Sequence, residues 1–310
     1  MILSVTPDPV LDKILFVKRW TPDTPMHAEK TALGVGGKGL DASLVLQQLG
    51  VETVGLTFLA GPTGETLLEL AGQHHLTVEP VWAGGETRTA YIVAQTDPGH
   101  HSHIFVGGLE IDEAQRTAFL DRLTTYLADA DWLICGGIVP DVLPTDFYGS
   151  VTERAHAAGV PVLIDAFRSF ITDALPSRPD ILKMNCQEFE WTFGGRTDDL
   201  ATLKEEAVRI RGEYELGTLV ITCGPDGLLG VADEGIFHAQ PPRLKALNAT
   251  GAGDAASAVL AWRLASKDAF PEALHRAAAV SAAVVLTEST AICRTEDVER
   301  IYPEVVVETL

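Results

Sequence analysis

The chain has 310 residues, 46% of them hydrophobic, and a net charge of −20 from 23 basic and 43 acidic side chains. That apolar content fills a large core, and the acidic balance repels nucleic acid and anionic membranes, so neither is an expected partner. The four cysteines are scattered without a CxxC pair, the N-terminus lacks a basic segment leading into an apolar run, and no charge-free run reaches membrane length, so reduced thiols in the cytoplasm are expected.

Residues 2–5 read as a short strand stopped by Pro7 and Pro9, and residues 13–18 as a second strand before a Pro-rich bend. Then comes Gly34-Val35-Gly36-Gly37-Lys38-Gly39, followed by Leu40, Leu44, Val45 and Leu49 at helical spacing, with Gly50 as the stop. Residues 51–59 suit a buried strand, 65–73 a helix and 77–82 a strand. Residues 87–94 and 103–106 read as a hairpin turning at Asp97-Pro98-Gly99, which with 13–18 predicts a small antiparallel sheet. The histidines at 74–75 and 100–103 read as polar loop residues and not as metal ligands.

From residue 112 the pattern alternates regularly. Helices are expected at 112–129, 145–158, 187–193 and 200–214, and strands at 132–135, 160–164, 181–184 and 218–222. A late hairpin at 228–232 and 235–239 precedes a helix ending near residue 266 and an Ala-rich helix over 271–286. Alternation of this kind predicts a mostly parallel sheet with helices on both faces, as one α/β domain over 1–310 with a small β appendage. Ligands of such folds bind beyond the carboxyl ends of the strands.

The stretch Asn248-Ala249-Thr250-Gly251-Ala252-Gly253-Asp254 stands at such a loop-to-helix junction. Glycines let backbone N–H groups approach an anion, and a helix start adds unpaired donors and a positive dipole end. Such a turn can stabilise a phosphoryl group, with the Asp254 carboxylate taking a proton from an attacking hydroxyl. The alternative is a tight turn with an acid in the first helical turn. Asn185-x-x-Glu188 can orient the water shell of a divalent cation, or simply be an N-cap with its capping-box Glu. Thr222-Cys223-Gly224-Pro225-Asp226-Gly227 is either a hairpin turn or a nucleotide-facing loop. Gly36-Gly37-Lys38-Gly39 has neither P-loop nor dinucleotide-fold spacing, but leaves room for a polyol against backbone. Asp12 and Asp41 can accept hydrogen bonds from sugar hydroxyls, or be solvated acids. Arg88 can pair with a phosphate or with a carboxylate.

Together these motifs resemble the ribokinase-like (PfkB) family of carbohydrate kinases, nearest the branch of 1-phosphofructokinase and tagatose-6-phosphate kinase. The resemblance rests on the 36–39 turn, Asn185-x-x-Glu188, Thr222 to Gly227 and Asn248 to Asp254 in order, with Ser4 to Asp12 and Thr87-Arg88-Thr89 pointing to the branch. It implies a three-layer αβα sandwich with a lid from about 13–33 and 87–107, which in this family often also forms a dimer interface. It implies ATP-dependent transfer to a hydroxyl of a sugar or sugar phosphate, with Asp254 as base and Gly251, Ala252 and Gly253 as anion hole. Asp12, Gly36, Gly37, Lys38, Asp41 and Arg88 would meet the sugar. Asn185, Thr222, Gly224, Gly227 and Gly253 would meet ATP, Asn185 and Glu188 would serve Mg2+, and a monovalent cation is a further expected cofactor. The chain departs from the branch at Asp8 and Asp41, where Asn is usual, and at Gly137, where a serine is usual. The departures leave open an unphosphorylated sugar or nucleoside as acceptor, and a non-catalytic sugar- or nucleotide-binding regulator on the same scaffold.

Overall fold

The computed structural model describes residues 1–96 and 99–310, so the expected turn residues Asp97 and Pro98 lie outside the described residues. In chain order the first half comprises β1 (Ile2–Thr6), β2 (Val10–Val17), β3 (Lys30–Gly36), α1 (Lys38–Gln48), β4 (Thr53–Leu59), α2 (Gly61–Gln73), β5 (Val78–Trp82), β6 (Gly84–Thr96) and β7 (Gly99–Glu110). Then follow α3 (Glu113–Leu127), β8 (Trp132–Gly136), α4 (Phe147–Ala157), β9 (Val162–Asp165), α5 (Ser169–Thr172), β10 (Ile181–Asn185), α6 (Cys186–Phe193), α7 (Leu200–Glu213) and β11 (Thr218–Thr222). The last part holds β12 (Leu228–Ala232), β13 (Gly235–Gln240), α8 (Ala252–Ala265), α9 (Phe270–Val284), α10 (Thr295–Ile301) and β14 (Val306–Thr309).

The main sheet has ten strands in the order β14-β13-β12-β11-β10-β9-β8-β1-β4-β5. From β5 to β11 every pairing is parallel, and β12, β13 and β14 close the other edge antiparallel. Strand side chains alternate between two cores, as the period of two requires. Ile2, Trp132, Ile134 and Leu163 join one core with α1, α2, α8 and α9, while Leu3, Val5, Leu133, Cys135, Val162 and Ile164 join the other with α3, α4, α6 and α7. That is the expected sandwich with helices on both faces. The chain winds from β1 out to β4 and β5, then restarts at β8 and winds the other way. The crevice between β1 and β8 is therefore where strand order reverses, the place where such sheets bind ligands.

The second sheet, β3-β2-β6-β7, is mixed and not antiparallel as expected: β2 and β6 pair in parallel. The reason is where the two strands leave the main sheet. β2 follows β1 and β6 follows β5, and those strands run parallel, so both depart in one direction. Two strands were not anticipated, β3 and β14. Both are edge strands, β14 largely exposed and β3 exposed over its first half and glycine-interrupted over its buried second half, which erases the alternating apolar pattern. The histidines at 100–103 also fall in a strand, β7, and not in a loop. α2 starts earlier than expected, with Gly61-Pro62 inside its first turn, where a proline loses no helical hydrogen bond.

Candidate active site

The 248–254 stretch is fixed from three sides. Asn248 is buried, donates to the Glu288 carbonyl (3.1 Å) and accepts from the Thr250 N–H (3.0 Å). Gly251 caps α8 at φ 87°, and a Cβ there would lie 2.4 Å from the Ala291 backbone nitrogen, so both conformation and space demand glycine. A Cβ on Gly253 would lie 2.8 Å from Lys183 Nζ. The turn thus rests directly on an ammonium group. The N–H groups of Gly251, Gly253 and Asp254 have no acceptor among the described residues. Free amides, a helix start and a cation beneath make this a site for an anion.

Beneath it lies a network of buried charges. Asp165, at the carboxyl end of β9, accepts from Lys183 (2.8 Å), Lys38 (2.7 Å) and the Ser257 hydroxyl (2.7 Å). Lys38 also reaches Glu188 Oε1 at 2.6 Å. Burial alone would raise the Asp165 carboxyl, but Lys183 and Lys38 win and hold it down to about 2. Asp254 is pushed the other way, to about 7: burial is the main cause, Asp165 and Glu188 add to it, and Lys183 and Lys38 oppose it. A carboxyl titrating near neutrality can take and release a proton at working pH.

A cleft of about 580 Å³ opens over this turn, and Asn185, Glu188, Thr222, Gly224, Gly227, Gly251, Ala252, Gly253 and Asp254 all line it. Its far walls are apolar, with Pro241, Pro242 and Leu244 on one side and Ala278, Ala282 and Val285 on another, a shape suited to a flat aromatic base. Gly227 (φ 91°) lets the 223–227 turn lie against β13, where a Cβ would come within 2.1 Å of the Ala239 carbonyl oxygen. Asn185 and Glu188 form the capping box of α6, each side chain accepting from the other's backbone N–H (2.8 and 2.9 Å). With both Glu188 oxygens engaged, one by Asn185 and one by Lys38, the pair fits Mg2+ held through water better than direct ligation. Among the described residues no group of three or more His, Cys, Asp or Glu is placed to hold a metal by itself.

The sugar-side candidates divide. Asp12 on β2 is buried and accepts from Thr290 (2.9 Å), and burial raises it to about 6. Gly36 leaves space beside it: a Cβ there would sit 3.0 Å from Asp12 Oδ1. Gly37 caps α1 at φ 111°, and Asp41 lies in the first turn of that helix. Asp41 is buried and titrates well above the ordinary range, because of burial first and then its neighbours Asp254 and Asp12. Asp12, Asp41 and Asp254 are therefore one electrostatic cluster. Lys38 belongs to the charge network on the other side. Arg88 is paired with a carboxylate, Asp8 (Nε–Oδ2 2.8 Å), the alternative the sequence had left open.

Sequence reasoning did not single out Lys183, Asp165 or Ser257 as functional. Lys183 carried a signal, a cation among the apolar residues Ile181, Leu182 and Met184 of one strand. Asp165 stood at a strand's carboxyl end. Ser257, inside an Ala-rich helix, carried none.

Residues 8–297 match the model of the pfkB family of carbohydrate kinases. Tagatose-6-phosphate kinase from Staphylococcus epidermidis is 24% identical over 310 residues, covering 99% of each chain. The solved structure of a possible 1-phosphofructokinase from Thermotoga maritima is similar at a TM-score of 0.89 and 20% identity, over 100% of this chain and 99% of that one. Phosphofructokinase-2 from Escherichia coli, in complex with fructose-6-phosphate, is similar at a TM-score of 0.86 and 21% identity, over 97% and 98%. These two likenesses establish the fold, and the family match spans nearly the whole chain. The chain belongs to the pfkB family of carbohydrate kinases.

Proposed function

We propose that this chain transfers the γ-phosphoryl group of ATP to a hydroxyl of a sugar or sugar phosphate, with Asp254 as the general base. The observation that carries this reading is a carboxyl raised to about 7 beside three unpaired amides that rest on a lysine. Asp254 takes the hydroxyl proton as that oxygen bonds to the γ-phosphorus, and the bridging oxygen departs with ADP. The amides of Gly251 and Gly253, with the first turn of α8 that Ala252 opens, hold the charge of the transferring group. Lys183 and Lys38 place ammonium groups at the floor of the site, and Asp165 fixes both. Thr222, Gly224 and Gly227 flank the nucleotide, while Asn185 and Glu188 would hold Mg2+ through water. That ion supplies neutralisation of phosphate charge when bound. Asp12 and Asp41 receive acceptor hydroxyls against the backbone of Gly36 and Gly37.

The small sheet, residues 13–33 and 87–107 within one domain of 1–310, serves as a lid that excludes water. Asp12 points from one of its faces. The other face carries Leu33, Lys13, Tyr91 and Ile104 in one row across four strands, with Leu33 and Ile104 about half exposed. That row is the surface we assign to a homodimer. The relative from Escherichia coli has also been solved in complex with potassium, which supports testing a monovalent cation here. Four free cysteines suit a reducing cytoplasm.

The direct test is ADP release over free hexoses, pentoses, nucleosides and ketohexose phosphates, with K+ and Na+ varied. Asp254→Asn should lower turnover roughly 10²- to 10⁴-fold while nucleotide affinity holds. Sugar binding without any acceptor-stimulated ADP release would instead indicate a non-catalytic binding protein.

A further inference from the structure

The acceptor side of the site has an unusual balance of hydrogen-bonding groups. Arg88 follows the register of Val10 on β2 and so shares a sheet face with Asp12, two positions along. Its guanidinium is engaged by Asp8 and by Phe105. Asp8 Oδ2 lies 2.8 Å from Nε, the Asp8 backbone carbonyl accepts from a terminal nitrogen at 2.9 Å, and the Phe105 ring lies 5.3 Å from the guanidinium carbon. The pair is shielded, at 15% and 8% exposure of the side chains. Lys38 and Lys183, the other two cations at the site, are spent on Asp165 and Glu188. Asp12 and Asp41 are raised by burial, and no cation opposes that rise.

Among the described residues, three buried atoms on this side lack a hydrogen-bond partner: Asp8 Oδ1, Asp41 Oδ1 and Arg88 Nε, which lies at ion-pair distance from Asp8 without hydrogen-bond geometry. Two of the three are carboxyl oxygens. A buried carboxyl oxygen without a donor costs free energy until one arrives. Polyol hydroxyls bring donors, whereas a phosphate dianion brings only acceptors and charge.

We infer that the acceptor is an uncharged polyol, an unphosphorylated sugar, and that Asp8 enforces this by pairing with Arg88 and adding a carboxylate beside the Asp12 face. The inference rests on the kinase reading above and narrows its acceptor. Asp8 is the specificity-determining residue, acting through Arg88.

The experiment compares each free hexose and pentose with its own monophosphate, in the wild type and in Asp8→Asn. The wild type should favour the best free sugar over its monophosphate by roughly tenfold or more in kcat/KM, the scale of an unfavourable like-charge contact. Asp8→Asn keeps the shape but removes the carboxylate, so the monophosphate-to-sugar ratio of kcat/KM should rise by roughly tenfold, mainly through KM for the monophosphate. Wild-type preference for a monophosphate overturns the inference and leaves the kinase reading intact, and so does an unchanged ratio in a folded Asp8→Asn. If Asp8→Asn does not fold, the wild-type comparison decides alone. If no acceptor supports ADP release, the kinase reading fails, and calorimetry of the same pairs still decides: tighter binding of the monophosphate overturns the inference, tighter binding of the free sugar supports it.

Discussion

Asp254 and Asp165 are both buried carboxyls next to the same two lysines, yet they are driven in opposite directions. Asp165 makes direct hydrogen bonds to both ammonium groups and stays ionised, while Asp254 feels them from further off and keeps its burial penalty. One is therefore fixed as an anion and the other is free to carry a proton, the division of roles that base catalysis needs. As the proposed base, Asp254 would act as the carboxylate, so kcat/KM should rise with pH through about 7, and Asp254→Asn should remove that limb along with most turnover. Stability has the opposite slope. Asp12 and Asp254 titrate at about 6 and about 7 folded, against an ordinary value of 3.8. Between 3.8 and those values the folded chain holds protons that the unfolded chain has released, so their contribution falls as pH rises through that window. Denaturant midpoints followed from about pH 5 to about pH 8 should therefore drop less for Asp254→Asn than for the wild type. An equal drop in the two proteins would contradict the raised carboxyl. Removing Lys183 has a different effect: Lys183→Met leaves Asp165 with a single cation and should cost about 3–5 kcal/mol, read from urea unfolding.

At the level of elements, α1 and α8 meet with their N-termini at the site, and each begins at a glycine with positive φ. In α8 the glycine is enforced twice, by φ and by the Ala291 backbone. Gly251→Ala should thus destabilise by roughly 1–3 kcal/mol, because the obstructing atoms are main chain and cannot rotate away. In α1 the first turn buries Asp41 with one oxygen unpartnered. Asp41→Asn replaces a group that is costly to ionise with a neutral one of the same shape, so the melting temperature at pH 8 should rise by a few degrees, on the order of 1 kcal/mol. The gain should shrink toward pH 4, where the wild-type carboxyl is already protonated. A variant equally stabilised at both pH values would place the cause elsewhere than in this carboxyl.

At the scale of the whole molecule, the small sheet presents its apolar row away from the face that carries Asp12. If that row joins two copies, Ile104→Glu should convert a dimer to a monomer in sedimentation velocity without altering far-UV circular dichroism, and a monomeric wild type would rule the interface out. The α/β alternation, the mostly parallel sheet and the positions of the glycine turns were legible in the chain, because each strand buried on both faces and each amphipathic helix writes its period locally. The donor-side candidates, Asn185, Glu188, Thr222 to Gly227 and Gly251 to Asp254, were legible for a related reason. Each is a short contiguous motif at the carboxyl end of a strand or the start of a helix. The edge strands β3 and β14 were not, since a strand with exposed side chains carries no period to read. Nor were the partners of the charges. Lys38 and Asp165 are 127 residues apart, Lys38 and Glu188 are 150 apart, and Asp8 and Arg88 are 80 apart. The sequence by itself determined the fold class, the family and the glycine turn that opens α8, because those depend on local spacing. Only the tertiary structure decided which carboxylates are spent on cations and which remain free, because a charge takes its meaning from neighbours that the chain brings together only on folding.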